Sequence, residues 1–351
     1  MSSDVKNITE KTENASIVKI YDTNWCDMPA EIKSVCIGKM KFKERLSLRC
    51  TAKAERSLVD SQKIEFDDGC FRGKDKELTF ILYSHDGRNF WKCSKDMNDA
   101  FELLNYIKKV GVFQTLFFSF RDSFTDYERF NTDDGLFTAK KVEFEQCDFD
   151  IVVAVLRKMK IGVESIKIYH DDIISDRLAG ILEISHVQNA SYWHIHDYKK
   201  TDSLHMVAQM WIDKNAKVES TFQVSHYGDG SFEEFLEHFD DCILSKAEHR
   251  VRIRTNNPDC HILLERGFDE VVEIDDFPQF FRLKVISAEM LESEYDNDCR
   301  EWICRMDPKI YYAEDSFDGV YEYEDYNAYD YDDAYHFYDD DDYDWEPYYD
   351  Y

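Results

Sequence analysis

Apolar positions along most of this chain alternate between two spacings. Between residues 96 and 255, stretches with apolar residues three or four positions apart are followed by short, dense apolar runs. The first spacing is typical of an amphipathic helix and the second of a buried strand. The successive pairs are AFELLNYIKKVG then QTLFFSF, FDIVVAVLRKMK then ESIKIYH, DRLAGILEISH then SYWHIHD, SLHMVAQMWIDK then KVESTFQVS, and SFEEFLEHFDDCILSK then HRVRIRT. The pattern predicts repeated helix–strand units.

The order of these units predicts the fold class. Before them, ELTFILYSHDGRNFWKC has two strand-like runs on either side of Asp86-Gly87, which is typical of a β-hairpin. Helix–strand units that follow one another in one direction imply a parallel sheet with helices on its outer side. We therefore expect an α/β protein whose mainly parallel sheet forms an irregular, leucine-rich-repeat-like arc.

Residues 25–64 differ from the rest because they combine helical apolar spacing with many basic residues. Asp27 and Pro29 supply a helix start, since a proline in the first turn loses no hydrogen bond. The apolar positions that follow are Ile32, Cys36, Ile37 and Met40, then Leu46 and Leu48, then Ala52, Leu58 and Val59. The spacing predicts a helix from about 29 to 40 and two further helical stretches. So small a bundle exposes apolar surface that it cannot cover, which is typical of a docking element.

Charge is concentrated at one end of the chain. The formal net charge is -30, and residues 312–351 hold sixteen acidic residues, twelve tyrosines and no lysine or arginine. Such a field repels phosphate backbones and anionic membranes and permits a basic protein partner. We expect residues 311–351 to be disordered, either as a solvated tail or as an adhesive strip or pseudo-substrate. Residues 1–22 are expected to form a disordered leader.

The cysteines and the hydropathy indicate a compartment. The ten cysteines include no CxxC pair, which favours reduced thiols over a disulfide framework or a zinc site. Residues 1–20 lack a signal-peptide core, and no apolar run approaches the roughly 20 residues of a membrane span. We expect a soluble cytoplasmic or nuclear protein.

Motifs for catalysis or cofactor binding are weak. His194 and His196 share a strand face and resemble two metal ligands, but no third ligand follows at a fixed spacing. Neither a GxSxG elbow nor a phosphate-binding glycine loop occurs. The segment GDGSFEE is instead interpreted as a turn in which Ser231 caps a helix, with Glu234 completing a capping box. No catalytic residue, metal or cofactor is predicted.

The apolar pattern of residues 25–64 resembles a known protein motif. MPAEIKSVCIGKM followed by KERLSLRCTAKAERSLVD resembles the F-box, the helical motif by which subunits of Skp-cullin-F-box ubiquitin ligases attach to their Skp-family linker. Phe42 stands where a proline is frequent in this family, and Glu55 where an aromatic residue is frequent. The sequence of this segment is also similar to nematode F-boxes that precede an FTH domain. The helix–strand order of the residues that follow, which ends in HRVRIRTNNPDCHILLERGF, is similar to the FTH domain. A hairpin packed on its own protein is the alternative.

The resemblance implies a non-catalytic adaptor that binds a Skp-family linker, through it a cullin, and separately a target protein. The implied division is leader 1–22, F-box 23–66, FTH-like domain 74–310 and tail 311–351. The residues implied in linker binding are Met28, Pro29, Ile32, Cys36, Ile37, Met40, Leu46 and Leu48. Polar strand residues expected to face the target are Lys167, Tyr169, His194, His196, Arg252 and Arg254. The alternative functions are those of a Skp-binding scaffold or inhibitor outside any ligase, and of an enzyme built on the sheet.

Overall fold

The computed structural model describes residues 24–74, 76–85, 87, 89–120, 135–169, 178–198, 200–226, 230–267 and 279–305. The predicted leader and the predicted acidic tail lie outside the described residues. The chain divides into two compact units, Met1–Glu292 and Ser293–Tyr351. In the second unit the described residues form one helix, α9 (Glu292–Arg305). All other elements belong to the first unit.

The first unit begins with short helices. A 3-10 turn (Trp25–Asp27) precedes α1 (Ala30–Lys39), α2 (Phe42–Arg49) and α3 (Lys53–Asp60). Pro29 occupies the N-cap of α1, as its fixed φ allows. The backbone N–H of Lys41 donates to the Glu44 carboxylate at 2.7 Å and closes the first turn of α2. The predicted helix from about 29 to 40 is confirmed, whereas the second helix starts at Phe42, earlier than its leucines indicated.

Between residues 139 and 238, the remaining elements of the first unit alternate as the apolar spacing predicted. The helices are α4 (Met97–Val110), α5 (Phe149–Arg157), α6 (Leu178–Leu182), α7 (Ser203–Lys214) and α8 (Ser231–His238). The strands are β1 (Ile64–Lys74), β2 (Glu77–Tyr83), β3 (Asn89–Ser94), β4 (Gly111–Phe120), β5 (Ala139–Glu145), β6 (Ser165–Tyr169), β7 (Tyr192–Tyr198), β8 (Thr221–His226), β9 (Ile243–Ala247), β10 (Arg250–Arg254), β11 (Cys260–Arg266) and β12 (Gln279–Ser287). Strands β1, β5, β9, β11 and β12 had not been predicted, and most of β9 lies in a stretch that was predicted to be helical.

Twelve strands of the described residues form one sheet in the order β3-β2-β1-β4-β5-β6-β7-β8-β12-β11-β10-β9. The six central strands, from β1 through β4 to β8, pair in parallel, and β2–β3 form the predicted hairpin. Right-handed crossovers between sequential parallel neighbours place the connecting helices on one face. Consistent with this, α5, α6, α7 and α8 contact one another in chain order. The mixed α/β class with a mostly parallel sheet is confirmed.

The last predicted helix–strand unit is wrong. HRVRIRT was expected to extend the parallel series after β8, but β12 occupies that place and pairs antiparallel with β8. The strand β10 lies two positions further out, between β11 and β9, and both of its pairings are antiparallel. The connections from β9 to β10 and from β10 to β11 are only a few residues long. A parallel pair needs a crossover of a dozen or more residues, so short connections produce hairpins.

The predicted capping box at α8 is also wrong. The N-cap is Gly230, whose φ of 105° is in the left-handed region that glycine adopts without strain, and Ser231 is already helical. The Ser231 hydroxyl is buried. The Glu234 carboxylate accepts one hydrogen bond from the Thr201 hydroxyl and lies 3.3 Å from Nδ1 of His205. The start of the helix was therefore predicted one residue too late, because Ser231 is its first residue and not its cap. The predicted helix SFEEFLEHFDDCILSK also ends early, at His238, and its last residues belong to β9.

Aromatic residues on the helix-covered face form the core of the first unit. Phe71 on β1 stacks on Phe118 on β4 at 5.3 Å, and Phe118 continues to Phe144 on β5 at 5.6 Å. At the start of the strands, Phe66 stacks on Phe113 at 5.1 Å. All five are buried. Because successive strand residues point to opposite faces, the alternate positions make up a second, more polar face.

Strand β1 approaches β4 closely at Gly69. A Cβ added there would lie 2.6 Å from the Phe113 ring and 2.9 Å from Leu116. We expect Gly69→Ala to destabilise the first unit by about 1–3 kcal/mol, because overpacking forces buried side chains to shift. The control is Gly38→Ala in α1, where the nearest atom lies at 3.5 Å and alanine favours the helix. The thermal unfolding midpoint checks both, and an unchanged midpoint for Gly69→Ala would contradict the expectation.

Candidate functional site

An exposed apolar pair lies on helix α1. Ile32 is 50% exposed and Val35 is 60% exposed. Residues three apart are neighbours on a helix surface, so the two side chains form one patch, and exposed Pro29 precedes them at the N-cap. We call this surface, Pro29, Ile32 and Val35, the α1 patch. Val35 had not been predicted, although its spacing from Ile32 was a usable signal.

The other residues predicted for linker binding lie deeper. Ile37 is fully buried within the hydrophobic core. Met40, Leu46 and Leu48 are half-buried and pack against that core. Cys36 and Met28 are also half-buried. Their part in binding a partner stays a prediction, but the packing shows that Ile37 already has a structural task.

A buried ion pair connects α1 to α3. The Lys33 ammonium donates to the Glu55 carboxylate at 3.0 Å, and the same ammonium lies 5.7 Å from the centre of the Trp25 ring. The hydrogen bond from Lys33 is the main reason that the pKa of Glu55 lies below its ordinary value. Glu55 thus occupies the position where F-boxes often carry an aromatic residue, and the ion pair supplies the contact between helices.

Side chains also hold the C-terminal end of α1. The Arg45 guanidinium donates to the carbonyls of Gly38 at 3.1 Å and Met40 at 3.2 Å, which satisfies acceptors left free at a helix end. The Gln62 amide donates to the Ser34 carbonyl at 2.7 Å. The helix carrying the α1 patch is therefore held by contacts from both α2 and the residues after α3.

Phe42 joins the three N-terminal helices to the sheet. Its ring meets Phe90 on β3 at 4.8 Å and Phe66 on β1 at 5.7 Å, both edge to face, and lies 5.7 Å from Tyr106 on α4. Such pairs add about 0.5–1.5 kcal/mol each beyond the burial of area. A proline at this position would have no aromatic ring to fill the space between two strands and α4.

Charged residues around Asp60 strengthen the junction between the three N-terminal helices, α4 and the sheet. Arg49 on α2 donates to Asp60 at 2.7 Å and lies 4.8 Å from the centre of the Tyr106 ring, while Lys109 on α4 contacts Asp60 at 3.0 Å. Burial acts to raise the pKa of Asp60, but the hydrogen bonds from Arg49 and Lys109 outweigh it, so the pKa lies below its usual range. Burial raises the pKa of Tyr106 to about 12. The junction is thus hydrophobic at its centre and ionic at its margin.

On the polar face of the sheet, four of the six residues predicted to contact a target lie together. Lys167 on β6 pairs in register with His194 on β7, and Tyr169 and His196 follow two positions along the same strands. The Lys167 ammonium contacts Glu143 on β5 at 3.1 Å. Their target-binding role remains a prediction, but the register shows that they share one face.

The two histidines stack within this group. The ring centres of His194 and His196 lie 3.8 Å apart, and Tyr169 stacks on His196 at 4.2 Å. Burial lowers the pKa of His194 well below its ordinary value, and the neighbouring His196 and Lys167 lower it further. Burial and Lys167 lower the pKa of His196 to about 4. Both imidazoles are therefore neutral near pH 7.

The two predicted arginines on β10 contact the chain itself. The Arg252 guanidinium is buried and donates to the carbonyls of Met290 at 2.7 Å and Ala288 at 2.8 Å, and its Nε donates to His261 at 2.9 Å. Arg254 donates to the Asp241 carbonyl at 2.8 Å. Arg252 therefore stabilises the turn after β12, and a target would have to compete with these hydrogen bonds.

The described residues contain no group of three or more His, Cys, Asp or Glu side chains arranged to hold a metal ion. Tyr169, Tyr192 and Lys167 lie near His194 and His196, and none of these three is a usual metal ligand. None of the helices in the described part of the chain combines the length and apolar character that a membrane crossing requires.

Comparison with protein families identifies the N-terminal helices. Residues 25–67 match the F-box domain, which covers the 3-10 turn, α1, α2, α3 and the start of β1. No curated protein matches the chain's sequence. The chain thus contains an F-box domain, and such domains bind Skp-family linkers, typically as non-catalytic adaptors of cullin ubiquitin ligases. The F-box prediction is confirmed.

The aromatic contacts predict the effect of truncating Phe42. We expect Phe42→Ala to lower the free energy of unfolding by about 3–4 kcal/mol, because the buried ring contacts two strands and a helix. Phe42→Leu should lose less, and Trp91→Ala, which truncates an exposed side chain, should change little. Denaturant titration checks the order. Equal effects of Phe42→Ala and Trp91→Ala would contradict the role of Phe42 at this junction.

The neutral histidines predict an acid-sensitive sheet. A histidine whose folded pKa is lowered contributes stability that is present above its unfolded pKa, about 6.5, and lost as the pH falls. Between about pH 6.5 and 4 the first unit should therefore lose on the order of 2 to 3 kcal/mol through His196. The double variant His194→Asn with His196→Asn should flatten this dependence. The control His85→Asn, which changes an exposed histidine, should leave the pH dependence unaltered. Melting curves recorded at several pH values measure this dependence.

Proposed function

We propose that this protein is the substrate-recruiting F-box subunit of a Skp-cullin-F-box ubiquitin ligase. The α1 patch docks on the Skp-family linker, and the polar face of the sheet holds the target. The observation that carries the proposal is the exposure of Ile32 and Val35 on α1 of a recognised F-box domain. Contiguous exposed apolar surface commonly marks a site where another protein binds.

Burial of the α1 patch supplies a driving force for docking. Covering an exposed Val or Ile side chain completely contributes about 1.5–3 kcal/mol, so the half-exposed Ile32 and Val35 retain about 1 kcal/mol each. Met40, Leu46 and Leu48 add apolar surface at the margin of the core. The predicted docking residues thus have two different roles. Pro29 and Ile32 supply the contact surface together with Val35, and Ile37 supports that surface from within the core.

The mechanism that these features support is proximity. An adaptor that holds a target lysine near a charged ubiquitin thioester raises the effective concentration of the two and needs no general base of its own. The junction at Phe42 and Asp60 supports this role, because it holds the F-box against the sheet instead of on a flexible tether. A defined distance between the linker and the target-binding face follows from such a junction.

The finer assignments, which come partly from resemblance and partly from sequence pattern, stay within this proposal. They are a nematode-type F-box (23–66) followed by an FTH-like, leucine-rich-repeat-like domain (74–310), a cytoplasmic or nuclear location, and target contact through Lys167, Tyr169, His194 and His196. The alternating strands and helices after β4 support the repeat character. The shared face of the four residues supports a common binding surface.

The proposal is tested by charging the α1 patch in the full chain. Ile32→Asp with Val35→Asp should abolish co-purification with a Skp-family linker, since burying an unpaired carboxylate costs several kcal/mol. The matched control is Val218→Asp with Leu244→Asp, which charges two other exposed apolar residues. Both double variants should keep the parent melting temperature. Linker binding that survives in the α1 variant would contradict the docking surface.

The same pull-down separates a ligase from a scaffold. Recovery of a cullin together with the linker supports the ligase subunit. Recovery of the linker without a cullin under conditions that preserve the ligase would exclude that role and leave a Skp-binding scaffold or inhibitor.

A further inference from the structure

A group of lysines lies at the edge of the sheet where the parallel strands begin. Lys63 precedes β1, Lys109 precedes β4, Lys140 lies at the start of β5, and Lys160 lies in the loop before β6. All four side chains are exposed. We call this group, with the apolar residues described below, the lysine edge. It is distinct from the α1 patch and carries no part of the proposed docking on a linker.

Contacts bring the members of the lysine edge together. The Lys63 ammonium donates to the Lys109 carbonyl. Burial lowers the pKa of Lys63, and the positive charges of Lys160 and then Lys109, each acting on the Lys63 ammonium, lower it further. The Glu164 N–H donates to the Lys140 carbonyl at 2.7 Å, which holds the loop that carries Lys160 along the start of β5.

Two exposed apolar residues lie among these lysines. Ile161, next to Lys160, is 88% exposed, and Leu136 is 38% exposed. Hydrogen bonds at 2.8 Å join Phe137 to Lys158 and to Lys160, so Leu136 lies beside the loop of Ile161. The next residue, Gly162, has a φ of 115° and open space where a Cβ would be. The loop therefore presents Ile161 outward.

Among the described residues at this edge, exposed lysines outnumber exposed acids. Asp60 contacts Lys109 but is shared with Arg49, Glu164 is the exposed acid of the loop, and Glu65 is exposed near the start of β1. Lysines are favoured near the C-terminal end of a helix, and this accounts for Lys109, which is in the last turn of α4. It does not account for the other three lysines, because Lys63, Lys140 and Lys160 are outside the helices. On a chain with a net charge of -30, a positive edge of this kind is a local feature that selects its partner.

We propose that the lysine edge is a docking surface for an acidic protein segment that carries an apolar side chain, with Lys63 and Lys160 pairing its carboxylates and Ile161 covering its apolar group. The combination is typical of protein interfaces, in which an apolar centre is surrounded by a polar rim. A nucleic acid fits less well, because the lysine edge offers no aromatic side chain for base stacking and the remaining field of the chain repels an extended polyanion.

The test uses the full chain and a short fluorescent peptide of Asp and Glu with one central Leu. We expect saturable binding that weakens with salt, because exposed ion pairs are screened beyond about 8 Å at physiological ionic strength. Lys63→Glu with Lys160→Glu should weaken the affinity by about tenfold or more, as several pairs of up to about 1 kcal/mol each become repulsive. The control Lys217→Glu with Lys246→Glu makes the same change of net charge at two other exposed lysines.

A second comparison tests the apolar contact. Ile161→Ser should weaken binding of the Leu peptide and leave a matched peptide with Ser in place of Leu unaffected. Equal weakening by both lysine double variants would overturn the proposal, as would equally tight, Lys63- and Lys160-dependent binding of single-stranded DNA or anionic vesicles. The variant Ile32→Asp with Val35→Asp should bind the peptide normally, so failure of the linker docking and failure of the lysine edge give different results.

Discussion

The burial of Phe42 between the F-box helices and the sheet is the contact on which the arrangement of the first unit depends. The ring is the first residue of α2, yet its neighbours are Phe66 on β1, Phe90 on β3 and Tyr106 on α4. A helical bundle of about thirty-five residues is too small to stabilise itself well. By sharing a core with the sheet, the bundle gains a rigid base and can leave Ile32 and Val35 exposed. Exposure of the α1 patch is thus a consequence of packing elsewhere.

Ionic contacts complete what the aromatic contacts begin. Lys33 and Glu55 connect α1 to α3, and Arg49 and Lys109 converge on Asp60 from α2 and α4. Partly buried pairs of this kind contribute little net stability on their own, because their desolvation is costly. Their geometric demands are strict, however, so they favour one orientation of the helices over others. The hydrophobic contacts supply most of the stability and the ion pairs the specificity.

The two faces of the sheet have different physical characters. The helix-covered face is filled with large aromatic side chains, and the other carries paired charges and neutral histidines. His194 and His196 illustrate how a titratable pair loses its charge when neighbouring strands, aromatic rings and Lys167 surround it. The lysine edge illustrates the opposite case, in which like charges gather at an exposed rim despite an acidic chain. Local placement, not net charge, decides what each surface attracts.

Local periodicity by itself determined the helices, the hairpin and the α/β class, because apolar spacing reflects which face of an element is buried. The F-box itself was identified by resemblance, because Pro29 and the apolar ladder match a known family motif. Tertiary structure decided the rest. The antiparallel place of β10, the cap at Gly230 and the separate tasks of Ile37 and Val35 depend on which distant segment lies alongside. Spacing marks a residue as apolar, but only the packing partner determines whether that residue is core or surface.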